Sequence, residues 1–176
     1  MRKLTLTMIM MFIGLTAFSQ FGIKGGGAFG VVTNTKNTNP AYGGFYAGVT
    51  YNITDDLRVE ALLEGMFRSK NSVTSTFLPV TFGADYSFLS GMVRPFVGFN
   101  LGSYTISSKT KFAGSNQNFS VSGTQFGLFP KVGVNIALTD NLLLDITTKY
   151  HVIFAKGNNS GTTQLFGLNL GVNYVF

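Results

Sequence analysis

Phe166-Gly167-Leu168-Asn169-Leu170-Gly171-Val172-Asn173-Tyr174-Val175-Phe176 is the stretch that decides the fold. Apolar residues hold every second position: Phe166, Leu168, Leu170, Val172, Tyr174 and Phe176. The positions between are Gly167, Asn169, Gly171, Asn173 and Val175. A period of two is the signature of a β-strand whose two faces meet different surroundings. Here one face is greasy and aromatic, and the other is small and polar. Such a strand fits lipid on one side and a polar lumen on the other.

The bulk composition agrees. A chain of 176 residues has room for one domain. Only 11% of it is charged, where a soluble globular domain has about 25%. Gly (22) and Phe (18) are abundant. There is no Cys, so neither a disulfide framework nor a thiolate metal site exists.

The N-terminus reads as an export signal. Met1-Arg2-Lys3 is a basic start, Leu4 to Ala17 carries no charge, and Ala17-Phe18-Ser19 places small residues where a signal peptidase reads. Residues 1–19 are therefore expected to be a cleaved signal, and 20–176 the mature domain. About 14 apolar residues are short for a membrane anchor, which needs roughly 20.

Residues 20–176 divide into eight two-faced segments. Strands are expected near 21–32, 43–53, 57–68, 77–88, 92–105, 124–138, 142–154 and 164–176. Three connections are short: Thr54-Asp55-Asp56, Leu89-Ser90-Gly91 and Thr139-Asp140-Asn141. Four are longer and polar: 33–42, 69–76, 106–123 and 155–163. Alternating turns and loops predict an all-β, eight-stranded, antiparallel up-and-down transmembrane barrel, with turns on the periplasmic side and loops outside.

The charges supply the sharpest test. Asp55, Asp56 and Asp140 fall in the short turns. Lys36, Lys70, Lys109, Lys111 and Lys156 fall in or beside the long loops. The other ionic residues of 20–176 are Lys24, Arg58, Glu60, Glu64, Arg68, Asp85, Arg94, Lys131, Asp145 and Lys149, and all take the inward parity. An Arg or Lys facing lipid at the membrane midplane costs about 2–4 kcal/mol, which explains the empty outer face. Aromatics gather near both strand ends, as expected for two interfacial belts. A secreted sandwich or lipocalin-like barrel would also alternate, and periodicity alone does not say which face points inward. Low charge, the aromatic belts and the unequal connections favour the membrane.

Eight strands leave an interior that side chains can fill. The inward ionic residues, with His151 beyond them, are expected to pack as a lumen network, since buried charges need partners. The inward glycines, among them Gly22, Gly26, Gly98, Gly133, Gly167 and Gly171, make room for them. A narrow gated pore is the transport-class alternative. A hydrolase built on His151 is the enzymatic one, but no nucleophile or oxyanion hole accompanies that residue. One His and no Cys leave no transition-metal set. Gly25-Gly26-Gly27 lacks the following helix that a phosphate loop requires. No cofactor or nucleic-acid partner is indicated. Removing Arg2 and Lys3 takes the net charge from +6 to +4, and basic loops would attract the phosphates of lipopolysaccharide.

Several stretches carry a family resemblance. Gln20-Phe21-Gly22-Ile23-Lys24-Gly25-Gly26-Gly27, Leu78-Pro79-Val80, Arg94-Pro95-Phe96-Val97-Gly98 and the final strand resemble the small outer-membrane β-barrels of diderm bacteria. These are the OmpA/OmpX type, also grouped as porin-family or outer-membrane β-barrel domain proteins. The resemblance covers 20–176. It implies an outer-membrane location and insertion by the barrel assembly machinery, and the chain is expected to be a monomer in contact with outer-membrane lipids. That machinery reads a last strand ending in an aromatic, so Phe166, Leu168, Leu170, Val172, Tyr174 and Phe176 would form the assembly signal. The resemblance supplies no catalytic residue.

Overall fold

The computed structural model describes residues 20–33, 39–70, 73–111, 118–154 and 161–176, without the side chains of residues 111, 118 and 119. The expected signal, Lys36 and Lys156 lie outside the described residues. Eight strands follow one another: β1 (Phe21–Val32), β2 (Ala41–Asn52), β3 (Leu57–Lys70), β4 (Val73–Ser87), β5 (Val93–Lys111), β6 (Asn118–Ala137), β7 (Leu142–Phe154) and β8 (Thr162–Val175). Each pairs antiparallel with its neighbours in sequence, and β1 pairs with β8 to close the barrel. Gly22 opposes Val175 at one end of that seam and Val32 opposes Leu165 at the other. The backbone bond from Phe176 N to Phe21 O (2.9 Å) extends it.

The apolar parity is the outer surface. Phe29, Phe45, Phe82, Phe99, Phe126 and Phe166 are all exposed on it. Rings pair within each belt. Phe21–Phe176, Tyr86–Phe88 and Tyr174–Phe176 lie at the end where the short turns are, with centroids 5.2–6.3 Å apart. Phe45–Phe67 and Phe126–Phe154 lie at the opposite, loop end.

Two turns share one local device. Thr54 Oγ1 accepts from the backbone N–H groups of Asp56 and Leu57, and Thr139 Oγ1 accepts from Leu142 N–H. In each, the residue before the threonine closes the hairpin: Ile53 N to Leu57 O and Leu138 N to Leu142 O, both 2.8 Å. A Thr–Asp pair suits a tight turn because its hydroxyl satisfies backbone donors locally.

The structure corrects the loop boundaries. The described residues of the segments 69–76 and 106–123, read as loops, are strand. β3 runs to Lys70 and β4 begins at Val73, and β5 and β6 run for 19 and 20 residues. Lys70, Lys109 and Lys111 therefore stand on strands. The reason is environmental. Beyond the lipid both faces of a strand are wet, so apolar alternation fades while ladder pairing continues, as in Ser107↔Ser122 and Lys109↔Ser120. Thr, Ser, Ile and Val still suit a pleated strand there.

Candidate functional site in the barrel lumen

The inward parity gathers eight buried ionic side chains: Lys24, Arg58, Lys131 and Lys149 with Glu60, Glu64, Asp85 and Asp145. Four of each sign leave the buried set neutral. Most form one continuous chain across the lumen. Arg58 of β3 donates through Nε (3.2 Å) and Nη2 (2.7 Å) to Asp85 Oδ2 of β4. Asp85 Oδ1 pairs with Lys131 of β6 at 2.6 Å. Lys131 Nζ also donates to Glu60 Oε1, which takes a second bond from Asn100 Nδ2 (2.9 Å). The other Glu60 oxygen accepts from Lys24 Nζ of β1 (3.0 Å), and Lys24 reaches Asp145 Oδ2 of β7 (3.3 Å). Asp145 Oδ1 accepts from Thr147 (2.9 Å) and Tyr46 (3.3 Å).

A second cluster lies nearer the loop end. Lys149 Nζ and Asn169 Nδ2 (2.8 Å) both donate to Glu64 Oε1. His151 is fully buried, its Nδ1 3.1 Å from the Tyr104 hydroxyl and its Nε2 4.0 Å from Glu64 Oε2. Its ring packs on Phe129, with centroids 4.5 Å apart, and lies edge-on to Phe77 and Tyr104.

Small residues admit these long side chains. A Cβ on Gly98 would collide with Asp85 Oδ1 and come within 2.6 Å of Lys131 Cε. One on Gly133 would come within 2.6 Å of the Phe96 ring. Arg68 and Arg94, expected in the network, stand apart at opposite ends. Both are half-buried, and neither joins a salt bridge among the described residues. Lys70 and Lys109 are exposed. Phe166, Leu168, Leu170, Val172, Tyr174 and Phe176 all lie exposed on the outer face.

The sequence reading missed the aromatic and aliphatic half of the lumen. Ala28, Tyr46, Leu62, Met66, Phe77, Tyr104, Phe129, Ile153 and Leu165 form a buried apolar cluster towards the loop end. Phe96 packs beneath it against Arg58 (5.3 Å from ring centroid to guanidinium) and Lys131 (5.9 Å). Parity was the available signal. Phe96 lies between outward Pro95 and Val97, and Phe129 follows outward Leu128.

A closed eight-stranded barrel with an aromatic-belted exterior and an ionic interior narrows the possible relatives to one kind. The family model described as outer membrane protein beta-barrel domain matches residues 5–176. The chain belongs to that family. It is an outer-membrane protein. The crystal structure of Neisserial surface protein A matches with a TM-score of 0.70 and 23% identity, covering 89% of this chain and 97% of that one. Ail, the attachment invasion locus protein of Yersinia pestis, gives 0.66 and 19%, covering 89% and 98%. The outer membrane protein OprG of Pseudomonas aeruginosa gives 0.55 and 15%, covering 89% and 95%. At these identities the likeness is one of fold. No curated protein matches the sequence.

Proposed function

We propose that this outer-membrane barrel is a plugged, non-enzymatic wall protein that presents its loop-end surface to partners and does not conduct. The observation that carries the proposal is the neutral set of eight buried ionic side chains beneath a buried apolar cluster. A conducting path needs a continuous column of water through the lumen. Here each buried cation has a carboxylate within 3.3 Å, and the space towards the loop end is occupied by Met66, Phe77, Tyr104 and Phe129. Planar-bilayer recording tests the reading. The wild-type barrel is expected to show no steady openings. Regular, salt-dependent conductance that changes in Glu64→Ala would replace the plug with the narrow gated pore.

Exposed Lys70 and Lys109 support a polyanion, such as the phosphates of lipopolysaccharide, as the loop-end partner. Ail has also been crystallised with the heparin analogue sucrose octasulfate, which supplies a probe. Binding of that probe is expected to weaken on combining Lys70→Ala with Lys109→Ala. Unchanged binding would remove the polyanion from the proposal.

A further inference from the structure

The turn end of the barrel holds a polar cup of about 490 Å³ that the plug does not fill. Asp55, Asp56 and Asp140 ring its mouth, and Arg94 of β5 lines it. Asn135 and Asn173, 2% and 1% exposed, border its inner end. Asn135 Oδ1 and both amide atoms of Asn173 have no hydrogen-bond partner among the described residues. Buried polar atoms of this kind are normally satisfied, and leaving one unpaired is costly. A polar group reaching that inner end would supply the missing bonds.

The cup is lined by charges of both signs. Arg58 also borders it, but its guanidinium is committed to Asp85. Arg94 is not committed in this way. Its Nε donates to Gly91 O (2.9 Å), and its terminal nitrogens meet no carboxylate among the described residues. The cup thus offers one uncompensated cation, Arg94, beside buried unpaired amides, and three carboxylates on the turns. A polyanion would be repelled by the carboxylates, and a simple cation by Arg94. A molecule carrying both signs satisfies both, and the volume is in the range of small-molecule sites.

We propose that the turn-end cup binds a small zwitterion, an amino acid or short peptide, with its carboxylate on Arg94 and Asn173 and its ammonium towards Asp55, Asp56 and Asp140. This goes beyond the plugged-barrel reading and stands on different residues. The test uses the protein purified from membranes into detergent micelles. It is titrated calorimetrically with glycylglycine, acetate and ethylammonium. Saturable glycylglycine binding is expected, with each half-ligand at least about tenfold weaker, since a bond to a charged group is worth about 1.5–3 kcal/mol. Arg94→Gln is expected to weaken glycylglycine and acetate by a similar factor while the compact, unboiled gel band is kept. Asp55→Asn with Asp140→Asn, which keeps Thr54 and Thr139 and their hydroxyl bonds to the turn backbone, should weaken glycylglycine and ethylammonium but leave acetate unchanged while the compact, unboiled gel band is kept. No saturable glycylglycine signal, equal affinity for acetate and glycylglycine, or undiminished binding in both variants would overturn the proposal.

Discussion

Glu60 is the residue on which the larger ionic cluster turns. Its two oxygens hold Lys24, Lys131 and Asn100, which come from β1, β6 and β5. Removing it would leave two buried ammonium groups sharing only Asp145 and Asp85. Breaking a buried pair costs about 3–5 kcal/mol, because the remaining charge stays desolvated. Glu60→Ala is expected to lower the unfolding free energy by about that amount, measured by urea titration of the barrel in detergent. A loss under about 1 kcal/mol would mean that water already screens the lumen. The inward side of Glu60 is legible in the sequence, since parity alone assigns it. Its partners are not. Lys24 lies 36 positions away and Lys131 lies 71 away. Which groups meet across a barrel depends on strand tilt and register, which no local pattern encodes. The same limit separates Arg94 from the network: it shares the inward parity of β5 with Asn100 but stands near the turn end.

At the scale of the strand, alternation is informative only where lipid and lumen differ. Within the apolar band it places every described strand and the side each charge takes. It fails over 106–111 and 118–123, where both faces are polar and pairing continues. Proline marks another place where pattern and pairing diverge. Leu63↔Val80 and Met66↔Phe77 flank Pro79 in an unchanged register, but the ladder between them is interrupted. Pro130 lies in a similar gap between Leu128↔Val152 and Lys131↔Lys149. A missing N–H removes a rung without shifting the strand. The lipid face of β4 gives a direct test of the band. Phe82 is 61% exposed midway along Leu78, Val80, Phe82, Ala84 and Tyr86. Phe82→Arg is expected to destabilise the barrel by about 2–4 kcal/mol in bilayers. The same change at Phe88, within the turn-end belt, should cost about 0–1 kcal/mol. Equal costs at the two positions, read from unfolding in lipid vesicles, would remove the assigned membrane depth.

For the whole molecule, closure depends on one seam. β1 and β8 are the most distant strands in sequence, and their backbones meet at Gly26 and Gly171, which are paired. A Cβ on Gly26 would strike Leu170 O and the Gly171 backbone, and one on Gly171 would strike Gly25 O and come within 2.6 Å of the Tyr46 hydroxyl. Backbone cannot step aside as a flexible side chain can, so the glycines are needed for close approach rather than for an unusual φ. The neighbouring Gly27 has the opposite parity. A Cβ there would find its nearest neighbour 3.5 Å away, in the Phe29 ring, which is ordinary contact. Two substitutions one residue apart should therefore have different outcomes. Gly27→Ala is expected to leave a compact band on unboiled gels, because the seam is untouched. Gly26→Val should abolish that band, since the ladder that turns an eight-stranded sheet into a barrel cannot form at its middle. A compact Gly26→Val protein would overturn the close-approach argument, and a slip in register would not rescue it. Such a slip by one residue would turn the faces of β8 inside out, bringing Asn169 and Asn173 to the lipid and Leu168 and Leu170 into the lumen. The compact band would then have to persist with the polar face of β8 in lipid, which the cost of unsatisfied polar groups there forbids.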